Sequence, residues 1–234
     1  MSEVILVVPA RSECRDRLIA AAQRLASLAG AGRVVELSAP NGVAARPPDW
    51  PIAAGPAPVV SAAEVEARGG RADFLVVAQP SPSDDKTIRQ AFRTALFRTE
   101  RPVLMVPRGR PVSAFGRLVA IAWRDDAQTL RALMPALRLL ASAEEVHLLA
   151  GVRVGAPTPA IPSVFVEHSV PATLHVLSIG SAPFGEVLLS RARELGADML
   201  IMGAHAHSPL REMLLGGVTS YVVAHADLPV LLRN

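Results

Sequence analysis

The chain has 234 residues, half of them apolar, 19% charged and 4% aromatic, which allows one large domain or two small ones. Twenty-four basic against 21 acidic residues leave a net charge of +3, with no basic–aromatic cluster of the kind a nucleic-acid surface needs. The single cysteine excludes an internal disulfide framework, and no apolar run approaches the roughly 18 residues of a membrane span. In the opening MSEVILVVPARSE, Glu3 stands where a secretory leader carries positive charge. The expectation is a soluble, cytoplasmic protein with no nucleic-acid or membrane partner.

Val4-Ile5-Leu6-Val7-Val8 is a short β-rich run, followed by Arg11-Ser12 and a helical pattern with Leu18, Ala22, Leu25 and Leu28 on one stripe. Val34-Val35-Glu36-Leu37 is a second strand, and a proline-rich connector (Pro40 to Pro58) follows it. A helix over 61–70 leads into a strand at Ala72-Asp73-Phe74-Leu75-Val76-Val77. Another helix, over Asp84–Arg98, leads to a closing strand at Pro102-Val103-Leu104-Met105-Val106.

The same order then returns. Leu118-Val119-Ala120-Ile121 precedes Arg124-Asp125-Asp126 and a helix with Leu130, Leu133, Leu137 and Leu140. Val146-His147-Leu148-Leu149, a second proline-rich connector (Pro157 to Pro171), Ala197-Asp198-Met199-Leu200-Ile201-Met202 and Pro229-Val230-Leu231-Leu232 match their earlier counterparts. The spacing drifts because the helix before Ala72 is shorter than the one before Ala197. Apolar strands alternating with helices read as βαβ units with a sheet buried on both faces. The fold expected is α/β: two doubly wound parallel sheets of five strands or nearly so. Flanking helices complete a three-layer α/β/α arrangement, over residues 1–110 and 111–234. The two last strands, apolar and proline-led, are expected to pair in an intramolecular pseudo-dimer. A further homodimer stays open.

In such sheets ligands sit beyond the carboxyl ends of the strands. One loop there stands out, Gly203-Ala204-His205-Ala206-His207 through Leu215-Gly216-Gly217-Val218-Thr219. It leaves a strand on a glycine and enters a helix through a Gly-Gly pair, where unpaired N–H groups and the helix dipole favour an anion. A tight turn with a flexible helix entry would account for the same glycines. The counterpart, Val77-Ala78-Gln79-Pro80-Ser81-Pro82, has no glycine, and Asp84 and Asp85 open its helix; no ligand is expected there.

Strand, Gly-x-x-Gly, nine residues, Gly-Ser/Thr, helix and a closing Pro-Val-Leu strand form a pattern that resembles the universal stress protein family. The resemblance covers 114–234 as one domain and extends to the first half as the degenerate leading domain of a tandem member. It implies strand order 3-2-1-4-5 and a non-enzymatic stress-response role, with adenine nucleotide (ATP, with Mg2+ only alongside it) bound by many members. Carried over, Gly203, His205, Ala206, His207, Gly216, Gly217, Val218 and Thr219 form the phosphate loop. Ala122, Trp123 and Arg124 flank the adenine.

Three positions depart from the pattern: Ala206 replaces a glycine, Gly217 a Ser/Thr, and Arg124 an Asp. A Cβ in a left-handed position and a lost hydroxyl bond together cost roughly 2.5–5 kcal/mol, taking a micromolar site to between about 0.1 mM and several mM. A nucleotide-free scaffold with a vestigial loop is therefore the main rival, and a slow ATPase a third. No catalytic set and no metal site is assigned. His205 and His207 lack a third ligand, Asp125 and Asp126 fit helix capping or Mg2+, and Cys14 and Trp123 fit packing.

Overall fold

Short, largely apolar runs separated by helices build two units of mostly parallel strands in a computed structural model of the chain. It describes residues 4–9, 12–30, 32–37, 44–46, 60–109, 112, 114–204 and 216–234. The units span 1–114 and 115–234.

In the first, β1 (Val4–Val7) lies between β2 (Arg33–Glu36) and β4 (Phe74–Ala78), with β5 (Val103–Val106) outside β4. β3 (Ala44–Arg46) lies outside β2. The expectation of an all-parallel sheet needs correction here, because β3 runs antiparallel to β2, Val35 facing Ala45. Only the seven residues 37–43 separate the paired ends Glu36 and Ala44, too few for the crossover that a parallel neighbour requires. The sheet is mixed. α1 (Ser12–Ala29) packs on β1, β2, β4 and β5, while α2 (Ala62–Gly69) packs on α3 (Lys86–Arg98). Strands such as β5, buried at every residue, leave no face for water, so helices must cover both sides.

In the second unit, β6 (Leu118–Trp123) lies between β7 (Glu145–Val152) and β9 (Met199–Gly203). β8 (Ala172–Ser178) lies outside β7 and β10 (Val230–Arg233) outside β9, and every pairing is parallel. Counted within each unit, the strand order is 3-2-1-4-5 in both.

Equivalent backbone anchors recur. Asp73 accepts the Val4 amide through Oδ2 at 2.8 Å, and Asp198 accepts those of Gly116 and Arg117 through Oδ1 at 2.7 and 3.1 Å. Each aspartate thus fastens the fourth strand of its unit to the start of the first. Pro102 and Pro229, which have no N–H to give, each accept an amide from the neighbouring strand, Leu75 and Leu200.

The helix expected across Leu130–Leu140 is broken. α4 (Ala127–Leu133) runs into a 3-10 turn at Met134–Ala136 before α5 (Leu137–Leu140), since Pro135 has no amide to continue the ladder. Leu130 is 39% exposed, so the apolar stripe begins a turn later than its spacing implies. Beyond β7, α6 (Ser163–Glu167) precedes β8, and α7 (Phe184–Glu194) and α8 (Gly217–His225) pack on each other. α7 has eleven residues to the eight of α2, in line with the shorter helix expected before Ala72. Gly196 closes α7 with φ +68, a conformation only glycine adopts cheaply. No described helix is long and apolar enough to cross a membrane.

Candidate functional site

At the carboxyl end of the second sheet three strands finish level. Ile121 of β6 faces Ile201 of β9, which puts Trp123 and Gly203 at the same height, and Gly203 faces Arg233 of β10. Ala204 extends the ladder by one bond to the Arg233 carbonyl at 2.7 Å. The chain returns at Gly216, which caps α8 in extended backbone (φ −60, ψ 158).

Among the described residues nothing caps this helix start. Gly216 brings no side-chain cap, and the first turn has no acid. The first intrahelical bond is the Ser220 amide to the Gly216 carbonyl at 2.8 Å. The amides of 217–219 therefore have no carbonyl to reach within the helix. Gly216 is buried, Gly217 exposed, Val218 half-buried and Thr219 buried. A Cβ built on Gly217 would meet no other element within 4 Å among the described residues.

Ala122 is half-buried at the end of β6, and Trp123 beside it is 5% exposed. The indole Nε1 of Trp123 is buried without a hydrogen-bond partner among the described residues. Arg124 is exposed and its Nε meets Asp126 Oδ2 in a short ion pair. Asp126 also caps α4, taking the Thr129 amide at 2.7 Å. Burial pushes the Asp126 carboxyl up, but the bonds from Thr129 and Arg124 outweigh it and hold the group below the usual aspartate range. Of the two roles open to Asp126, capping is thus the one its contacts fill. His205, Ala206 and His207 lie outside the described residues. Among the described residues no three His, Cys, Asp or Glu side chains gather as metal ligands.

Residues 71–233 match the universal stress protein family. The chain belongs to that family. A universal stress protein of Methanocaldococcus jannaschii is 41% identical over 46 residues, 20% of this chain and 28% of that relative. Among solved structures, a universal stress protein of Archaeoglobus fulgidus aligns with all of this chain and 97% of its own at 15% identity and a TM-score of 0.72. A functionally unknown protein of Pseudomonas aeruginosa aligns with 99% of this chain and 82% of its own, at 15% identity and a TM-score of 0.55. At these identities the structural matches speak to the fold.

In this universal stress protein the corresponding end of the first sheet is filled by its own side chains. Asp84 is buried, its Oδ2 taking Arg108 Nη2 at 2.5 Å and the Ser81 amide at 2.7 Å. Arg108 also donates Nε to the Gln79 carbonyl at 2.8 Å, and its amide to Gln79 Oε1 at 3.0 Å. Asp85 caps α3 through the Ile88 amide. The gap bounded by Cys14, Leu18, Ala78, Val106 and Arg108 is too small for a water molecule. Cys14 itself is buried, 3.3 Å from Arg17 Nη2. The Arg108–Asp84–Gln79 network carries no motif signal, because Arg108 lies 24 residues beyond Asp84 and follows a different strand.

Proposed function

We propose that this is a tandem universal stress protein of the cytoplasm, two copies of one unit over 1–110 and 111–234. The second copy binds an adenine nucleotide, ATP accompanied by Mg2+, without turning it over. The observation that carries this reading is the contrast between two equivalent helix starts. α3 begins under Asp85 with Asp84 beside it, whereas α8 begins with two glycines, first-turn amides that have no carbonyl within the helix, and no acid. A polyanion is repelled by the first and favoured by the second. Gly203, His205, Ala206, His207, Gly216, Gly217, Val218 and Thr219 would surround the phosphates, and Ala122, Trp123 and Arg124 the base. Among the described residues the buried Trp123 N–H is a donor with no acceptor.

The rival, a nucleotide-free interaction scaffold, is favoured by one contact. Arg124 is drawn onto Asp126, so an arginine occupies the place of the family's aspartate and already has a carboxylate. Calorimetry and thermal shift with Mg·ATP separate the two. At a Kd near 1 mM, 5 mM ATP would stabilise the fold by about 1 kcal/mol, a rise of roughly 2–4 °C for a chain of this size. A saturable rise that Gly216→Val abolishes supports the nucleotide site. A flat response at several millimolar, with the protein folded, leaves the scaffold. Phosphate release above a buffer control would be required for an ATPase.

A further inference from the structure

Away from that crevice, three residues from β7, β8 and α7 form a line of nitrogen contacts. His147 on β7 is 7% exposed, and its Nδ1 lies 3.2 Å from Nε2 of His175 on β8. The Nδ1 of His175 lies 3.2 Å from Arg191 Nη2 on α7. A guanidinium can only donate, so this line has one direction. Arg191 donates to His175 Nδ1, which places the single His175 proton on Nε2. That proton is donated to His147 Nδ1, which places the His147 proton on Nε2. This last N–H is buried, 3.2 Å from Glu145 Oε2 but not aligned for a hydrogen bond.

We propose that this relay is a pH-sensitive latch that ties the outer strand β8 to β7 and α7 while both imidazoles are neutral, and opens when either gains a proton. The only nitrogens left to accept a proton are the two that already accept a hydrogen bond. A proton on His175 Nδ1 sets N–H against the guanidinium. A proton on His147 Nδ1 faces the His175 N–H. His175 can relieve that clash only by moving its own proton to Nδ1, which again confronts Arg191. Every protonated form therefore breaks a contact between elements.

The charged groups facing the pair are Glu145 on β7, Arg191 on α7 and its partner Glu194, at 3.0 Å from Arg191. β6, on the far side of β7, and β8 itself carry no other charged residue. Burial, then the Arg191 charge, then His147 hold the His175 imidazole below its ordinary range. The neutral relay thus stabilises the fold above the ordinary imidazole value near 6.5, and that contribution is lost as pH falls through the lower folded value.

The test uses the full chain. Nitrogen-15 spectra of the histidine rings at pH 7.5 should show both His147 and His175 protonated on Nε2. Hydrogen exchange of the β8 and α7 amides, corrected for its intrinsic pH dependence, should become about tenfold faster between pH 7.5 and 5. In Arg191→Gln, whose amide can turn to accept as well as donate, that acceleration should shrink to within about twofold. A His175 proton on Nδ1 at neutral pH overturns the proposal without any variant. So does unchanged β8 protection at pH 5, or an equal acceleration in a folded Arg191→Gln chain.

Discussion

Replacing Gly217 by serine would return to the helix start the hydroxyl that this position lacks. Among the described residues a Cβ there meets no other element within 4 Å, and the residue is exposed at the first position of α8. Glycine is also a poorer helix residue than serine, so the fold should gain a few tenths of a kcal/mol. A hydrogen bond to a charged phosphate contributes about 1.5–3 kcal/mol, so Mg·ATP should bind roughly 10- to 150-fold more tightly. Titration calorimetry of wild type, Gly217→Ser and Gly217→Ala isolates the hydroxyl from the Cβ. Adenosine, which has no phosphate, should bind all three alike. A Gly217→Ser chain that is well folded and binds Mg·ATP no better than Gly217→Ala would refute a phosphate at this helix start.

Saturating titration should give one nucleotide per chain, because Asp84, Arg108 and Gln79 close the first crevice; a fitted value near two would contradict this. Glu36→Ala should cost about 3–5 kcal/mol in chemical denaturation, since it removes the carboxylate that holds the buried Arg15 guanidinium by two bonds at 2.7 and 2.8 Å. Asp126→Ala should remove about 1 kcal/mol with the α4 cap. Because the folded carboxyl titrates low, the gap to wild type should be constant above about pH 5 and close as pH falls below the ordinary aspartate value near 3.9. Gly151→Ala would push a Cβ to 2.5 Å from the Phe184 ring and should cost about 1–3 kcal/mol, a penalty that should vanish in a Phe184→Ala background.

Much of the architecture could be read from residue order because buried parallel strands are apolar throughout. β1, β4, β5, β6, β9 and β10 all fall on runs that stand out in the sequence. The third strand of each unit did not. β8, half-exposed along most of its length, lacks such a run and follows Pro171, so it merges with its connector. β3 is three residues of alanine and arginine, and its reversed direction follows from a short link rather than from composition. Pro135 was a visible helix breaker that the leucine spacing masked. At the site, the glycine pair marks the start of α8, but the Arg124–Asp126 pair depends on side-chain reach. The relay through His147, His175 and Arg191 joins three distant segments that only the folded sheet brings together, and spacing along the chain has no bearing on it.

Where α7 crosses α8, Gly185 presents bare backbone to Tyr221. A methyl group there would stand 2.7 Å from the tyrosine Cβ. The Tyr221 side chain rests directly on that backbone, its Cβ, Cγ and Cδ1 leaving no room for even a methyl group. Any displacement of α7, the helix that carries Arg191, must push α8 along with it or open a void at the crossing. The joint is stiff because it is small, and it runs from the outer histidine pair to the helix whose first turn holds the glycine pair.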